Sequence, residues 1–147
     1  SLATILDHHP PNGMPQHYLD QLRQMPPQQF SGYLAGFIDL IFEHQGKFHL
    51  LDWKTNRIPG NDPKSLATIM AEHHYYLQYH LYTLALDRFL AQRLGSSYDP
   101  DLHLGNVYYV FLRGIDPDIP GSGVYCDQIR DSRLHALRST YNTPSPC

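Results

Sequence analysis

Two apolar runs divided by a short polar turn constrain this chain more than any other part of its sequence. YLAGFIDLIF (33–42) and KFHLLDWKT (47–55) are rich in aromatic and branched side chains, and Glu43-His44-Gln45-Gly46 lies between them. That pattern specifies a strand, a turn and a strand, with Gly46 supplying a positive φ. Side chains alternate faces along a strand, so Asp52 and Lys54 share one face while Trp53 points to the other. A turn centred between Gln45 and Gly46 sets Asp39 directly across from Asp52, with Cβ atoms ~5 Å apart.

Two like charges at that spacing destabilise a sheet unless something compensates. Their flanks are apolar: Phe37, Ile38, Leu40 and Ile41 on one strand, Leu50, Leu51 and Trp53 on the other. A solvated surface pair needs no such surroundings. A hard divalent cation bridging the carboxylates, with Lys54 beside it, accounts for the pattern. Mg²⁺ suits it, because that ion commonly takes one or two carboxylates, waters and a substrate phosphate. An ion so held polarises a phosphate and lowers the pKa of a bound water. Lys54 would orient that water or stabilise charge in the transition state. Taken alone, D-x-K marks nothing, since single Asp and Lys residues in strands are usually surface ion pairs. The opposed carboxylates inside an apolar hairpin are what point to phosphodiester hydrolysis.

The remaining sequence places this hairpin in a mixed α/β sheet. Pro10, Pro11, Pro15, Pro26 and Pro27 forbid a long helix or central strand in the first 30 residues. A short helix over Tyr18–Met25 with Leu19 and Leu22 inward is expected there. After a loop from Asn56 to Lys64, no Pro or Gly occurs until Gly95. The apolar spacing predicts one helix from Ser65, as N-cap, to about Leu94. Gly105–Leu112 reads as a third strand, Gly123–Cys126 as a short fourth, and Asp131–Tyr141 as a helix. The expected organisation is a Pro-rich lead-in over 1–30, a partial catalytic domain over 31–142 and a flexible tail over 143–147.

Composition narrows the class. With 11 Lys and Arg against 14 Asp and Glu, the formal charge is −3. Contact with nucleic acid therefore has to be local rather than a matter of bulk charge. Lys64, Arg57 and Arg113 are the candidate phosphate contacts. Two cysteines, Cys126 and Cys147, exclude a disulfide framework or a four-cysteine metal site within the chain. Cysteine usage favours a cytoplasmic home, and no apolar run approaches a membrane span.

GFIDLIF, LLDWKTN, YYLQYHLYTLAL and VYYVFLRGID, in that order from about Gly32 to Tyr125, resemble the RecB-type nuclease domain. That family is the C-terminal domain of exodeoxyribonuclease V beta chains, within the PD-(D/E)xK nuclease superfamily. The resemblance implies a restriction-endonuclease-like α/β core, here truncated at its N-terminal side. It makes Asp39, Asp52 and Lys54 the catalytic set, with Asp39, Asp52 and the backbone carbonyl of Trp53 as metal ligands. Gln78 and Tyr82 match the family's Q-x-x-x-Y element, four residues apart on one helix face, which the resemblance places at the rim of the site near DNA. From the residues alone, Tyr75, Tyr76, Tyr79 and Tyr82 read instead as packing that helix onto the sheet.

The resemblance further implies one Mg²⁺, replaceable in binding by Mn²⁺ or Ca²⁺, and exonucleolytic DNA hydrolysis in a helicase–nuclease complex for double-strand break repair and recombination. The parent would bind ATP. Its implied partners are DNA, the RecC and RecD subunits and the recombinase RecA, with no membrane. The family also carries a metal-binding His on an upstream helix and an acidic residue on an upstream strand. This chain is expected to start after both, and His8, His9 and His17 do not match that helix. An incomplete metal site, apolar surface covered by self-association, and a non-catalytic DNA- or protein-binding fragment are the corresponding alternative expectations.

Overall fold

A computed structural model describes residues 1–26, 36–60 and 62–141. The expected strand residues 33–35, Gly32 and the tail over 143–147 lie outside these.

Gln45 and Gly46 both take positive φ, 51° and 77°. This is the turn whose twist matches the strands it joins. It connects β1 (Leu40–His44) to β2 (Lys47–Lys54), which pair antiparallel from His44↔Lys47 to Leu40↔Leu51. That is the register the turn position predicts. The first strand is shorter than expected, since its ladder ends at Leu40 and Asp39 lies just outside it.

Next to β2 runs β3 (Leu104–Phe111), parallel to it, and β4 (Val124–Asp127) closes the order β1-β2-β3-β4 antiparallel to β3. Both later strands are one residue out from the sequence expectation, an ordinary error at element ends.

A parallel pair requires a long crossover, and here it holds two helices rather than one. α3 (Pro63–Glu72) is capped by Asp62, whose carboxylate accepts from the Ser65 amide at 3.0 Å. The cap is therefore Asp62 and not Ser65, because Pro63 sits in the first turn, where its missing N–H costs nothing. α4 (Tyr75–Leu94) begins after His74, which takes a left-handed φ of 54°. This break falls where neither Pro nor Gly announces it. Gly95 stops α4 as expected.

The N-terminal segment forms two short helices, α1 (Leu2–His8) and α2 (His17–Gln24), and Pro10, Pro11, Pro15 and Pro26 lie outside them. α2 carries Leu19 fully inward, with Leu22 partly buried. α1, missed by the proline argument, is capped by the Ser1 hydroxyl. A short α5 (Pro100–His103) precedes β3, and α6 (Asp131–Tyr141) packs against α1 and α4. Leu6, Tyr18 and Leu19 join Tyr76, Leu77, Tyr79 and Tyr109 in one core. α4 is buried on most sides because it lies between β3 and α6.

Tyr75 and Tyr79 of α4 meet Tyr109 of β3, and Tyr109 is the register partner of Asp52. The carboxylate of Asp52 therefore lies on the helix-covered face of the sheet. Trp53, on the opposite face, is 46% exposed. No described helix is long and apolar enough to cross a membrane.

Candidate active site

Asp39 and Asp52 come together at the end of the hairpin, but in unequal settings. Asp52 is 6% exposed, whereas Asp39 is open to solvent. This corrects the expectation of two carboxylates embedded alike in the strands. Asp39 stands one residue beyond the ladder, and its Oδ2 accepts a hydrogen bond from the Trp53 amide at 2.9 Å. One carboxylate is thus tied to the backbone beside the other. Burial pushes the Asp52 carboxyl above the usual carboxylate range, Lys54 opposes that rise, and the charge of Asp39 adds to it.

Lys54 is held from several sides. Its Nζ is 2.5 Å from Asp52 Oδ1, and it donates to Gln78 Oε1 at 3.1 Å. The Tyr109 hydroxyl donates to the same Gln78 oxygen at 2.7 Å. Gln78 Nε2 in turn donates to the Tyr82 hydroxyl at 3.1 Å. The ammonium also lies 4.2 Å from the centre of the Tyr75 ring and 5.0 Å from that of Tyr109. Tyr75 donates to Asn56 Oδ1 at 2.9 Å, and the Asn56 side-chain amide meets His73 Nε2 at 3.2 Å.

Local structure explains the convergence. The parallel pairing of β2 and β3 sets Asp52 beside Tyr109 and Lys54 beside Phe111. Starting α4 at Tyr75 puts Tyr75, Gln78 and Tyr82 on one helical stripe facing those strands. Gly36 closes the far side: a Cβ there would sit 2.5 Å from the Tyr82 hydroxyl. The Tyr82 phenol is pushed up by burial first, then by Asp52 and Asp39, so both carboxylates are felt at its hydroxyl.

Asp39, Asp52, Trp53, Lys54, Gln78 and Tyr82 are therefore neighbours, as the motif spacing requires. Arg57 and Arg113 are exposed and follow the parallel strands β2 and β3, at the same end of the sheet as Lys54. Lys64 is exposed in the first turn of α3. Two neighbours of Lys54 in the candidate site escaped sequence reading. Tyr75 reads as a helix-packing residue and Tyr109 as strand core. The signals that point to them are Tyr75 at three residues before Gln78 and Tyr109 opposite Asp52 once the strands are parallel.

Among the described residues, no group of three or more His, Cys, Asp and Glu is placed to hold a metal. The available donors are two carboxylates and backbone oxygens, one carboxylate being buried with its charge only part-compensated. That all-oxygen set fits Mg²⁺, which keeps several waters, better than ions that need a full protein cage.

Sequence comparison adds an independent finding. The family model of the PD-(D/E)XK nuclease superfamily matches residues 12–134. The RecBCD enzyme subunit RecB of Escherichia coli (strain K12) is 46% identical over 108 residues, 68% of this chain and 9% of that protein. RecB of Haemophilus influenzae is 40% identical over 105 residues, covering 69% and 8%. RecB of Mycobacterium tuberculosis (strain ATCC 25618 / H37Rv) is 36% identical over 122 residues, covering 78% and 11%. The chain spans a small part of each of these relatives.

Proposed function

This chain belongs to the PD-(D/E)XK nuclease superfamily, and from that membership we propose that it hydrolyses DNA phosphodiesters with a bound divalent cation, Mg²⁺ in the cell. The setting we infer is the nuclease part of a RecB-type subunit, acting exonucleolytically on linear DNA in a cytoplasmic helicase–nuclease complex. Its partners there are RecC and RecD, with RecA receiving the processed strand, in double-strand break repair and recombination.

Asp39, Asp52 and the Trp53 carbonyl would hold the ion. Bound there, it would polarise the scissile phosphate and lower the pKa of a water. The chain's own groups do the rest. The amide of Trp53 fixes Asp39, so the exposed carboxylate does not swing into solvent. Lys54, paired with Asp52 and donating to Gln78, keeps a third N–H for a water or phosphate oxygen. Tyr82 orients the Gln78 amide. The observation that carries this reading is the 2.5 Å Lys54–Asp52 pair with Asp39 anchored on the residue between them. A structural ion pair would not need the second carboxylate beside it.

A second reading, a fragment that binds DNA or a protein without cleaving, draws support from the lack of a third His, Asp or Glu ligand among the described residues. One experiment separates the two. End-labelled linear DNA is incubated with the full-length parent in Mg²⁺ and in EDTA, wild type against Asp52→Ala and Lys54→Ala. Degradation by wild type alone, lost in EDTA, supports hydrolysis. Equal degradation by all three removes the catalytic assignment.

A further inference from the structure

We propose that Tyr75 and Tyr109 are positioning residues whose rings together form a seat for the Lys54 ammonium and hold it between Asp52 and Gln78. This rests on the reading of Lys54 as the catalytic lysine.

Lysine is a poor device for precise placement. Its four-carbon stem carries ~2 kcal/mol of rotamer entropy, and its ammonium is a strongly hydrated point charge. An ion pair at the end of a strand does not by itself fix such a group. Here the ammonium lies 4.2 Å from one ring centre and 5.0 Å from the other, within the ~6 Å over which a ring's quadrupole attracts a cation. The two rings touch, with centres 5.3 Å apart and planes inclined at 39°, so the ammonium rests against both of them from one side.

Each ring is held by something other than Lys54. Tyr109 is 1% exposed, and its hydroxyl donates to Gln78 at 2.7 Å. Tyr75 is pinned through its hydroxyl to Asn56, and its ring stacks on His73 at 5.4 Å and 19°. The seat is therefore assembled from two elements, Tyr75 from the first turn of α4 and Tyr109 from β3, and Lys54 at the end of β2 enters it. The left-handed residue His74 matters here, because it starts the second helix where Tyr75 faces Lys54. Preorganisation of this kind is worth most where a shift of ~1 Å costs on the order of a hundredfold in rate. A tyrosine that merely filled the core would need neither the hydroxyl anchor nor a cation against its ring.

The test uses the full-length parent with Tyr75→Leu and Tyr109→Leu, which remove a ring, and Tyr75→Phe and Tyr109→Phe, which keep it. Two readouts are taken. The first is kcat and KM for DNA cleavage in Mg²⁺. The second is the rate at which a small acetylating ester labels Lys54 in metal-free protein, measured by peptide mass spectrometry against exposed Lys64. The Leu variants are expected to lose about tenfold or more in kcat with KM nearly constant. Their Lys54 is expected to label several times faster, while the Phe variants, which keep the ring and lose only its hydroxyl anchor, change clearly less in both. Wild-type kcat and labelling in the Leu variants would overturn the proposal. So would equal losses in Phe and Leu, or a change confined to KM. If circular dichroism shows Tyr109→Leu unfolded, the half-buried Tyr75 decides. Lys54→Ala run alongside keeps the two readings apart. Full cleavage by that variant overturns the role of Lys54, while the labelling arm still judges the aromatic seat.

Discussion

The Trp53 amide donates to the Asp39 carboxylate at 2.9 Å, so the backbone of one strand fixes the acid that ends the other. Because this bond needs an acceptor oxygen and not a charge, fold and chemistry are separable at Asp39. Asp39→Asn keeps an acceptor for the amide and should unfold within about 1 kcal/mol of wild type, whereas Asp39→Ala should lose about 1–2 kcal/mol. Both should abolish Mg²⁺-dependent cleavage. Denaturant melts and a cleavage assay on the same preparations check this, and an active Asp39→Asn would contradict it.

Gly36 makes room for Tyr82. A Cβ at this position would lie 2.5 Å from the hydroxyl and 2.9 Å from Cε1 of a ring that is only 8% exposed. Gly36→Ala should therefore cost about 1–3 kcal/mol and slow cleavage by displacing the Gln78–Tyr82 pair. Combining it with Tyr82→Phe removes the closest atom and should recover part of the stability. A double-mutant cycle measures that coupling, and strict additivity would refute the contact.

His80 should make the fold acid-sensitive. It is fully buried, donates through Nδ1 to the Tyr76 carbonyl, and has no partner for Nε2 among the described residues. Burial chiefly, and Arg133 next, pushes its pKa down to about 3. The folded ring stays neutral where the unfolded one, titrating near ~6.5, takes up a proton. Stability is thus complete above pH ~6.5 and falls as pH drops toward the folded value, by about 1.4 kcal/mol per pH unit. At pH 5 the loss from this residue is about 2 kcal/mol by the same relation. Unfolding curves at pH 7 and pH 5 should show it in wild type and not in His80→Gln.

Asp127 and Arg133 form a largely dry pair at 2.9 Å, each side chain 10% exposed, and the Tyr79 hydroxyl donates to the other Asp127 oxygen at 2.6 Å. Arg133 also donates to the Gln128 carbonyl. The pair ties α6 to β4. Removing one member leaves the other charge buried, so Asp127→Ala should cost about 3–5 kcal/mol. A thermal melt within 1 kcal/mol of wild type, an amount about equal to an exposed pair, would show the pair to be solvated.

What could be read from sequence was what local chemistry dictates. The hairpin register followed from Gln45-Gly46, because a two-residue turn with both φ positive leaves only one pairing. Asp52 and Lys54 then fell on one face by strand alternation alone. The two-helix crossover was not legible, since the break rests on His74 adopting a left-handed conformation that its sequence does not demand. The unequal burial of Asp39 and Asp52 was hidden too, because it depends on where the β1 ladder stops. Tyr109 comes to lie beside Asp52 only through a parallel pairing across almost sixty residues, which no local pattern encodes. Gln78 and Tyr82 were singled out only by motif resemblance, where the residues alone favoured simple packing.

The proposed phosphodiester hydrolysis depends on the carboxylate pair beside Lys54. The most direct measurement is the single-turnover cleavage rate of end-labelled linear duplex by the full-length parent carrying Asp52→Asn, which preserves shape and removes only the charge. With Mg²⁺ saturating and folding verified, the rate should fall by about a thousandfold or more, as for loss of a principal electrostatic group in an active site. A rate within about tenfold of wild type, equivalent to only ~1.4 kcal/mol of barrier, would contradict it.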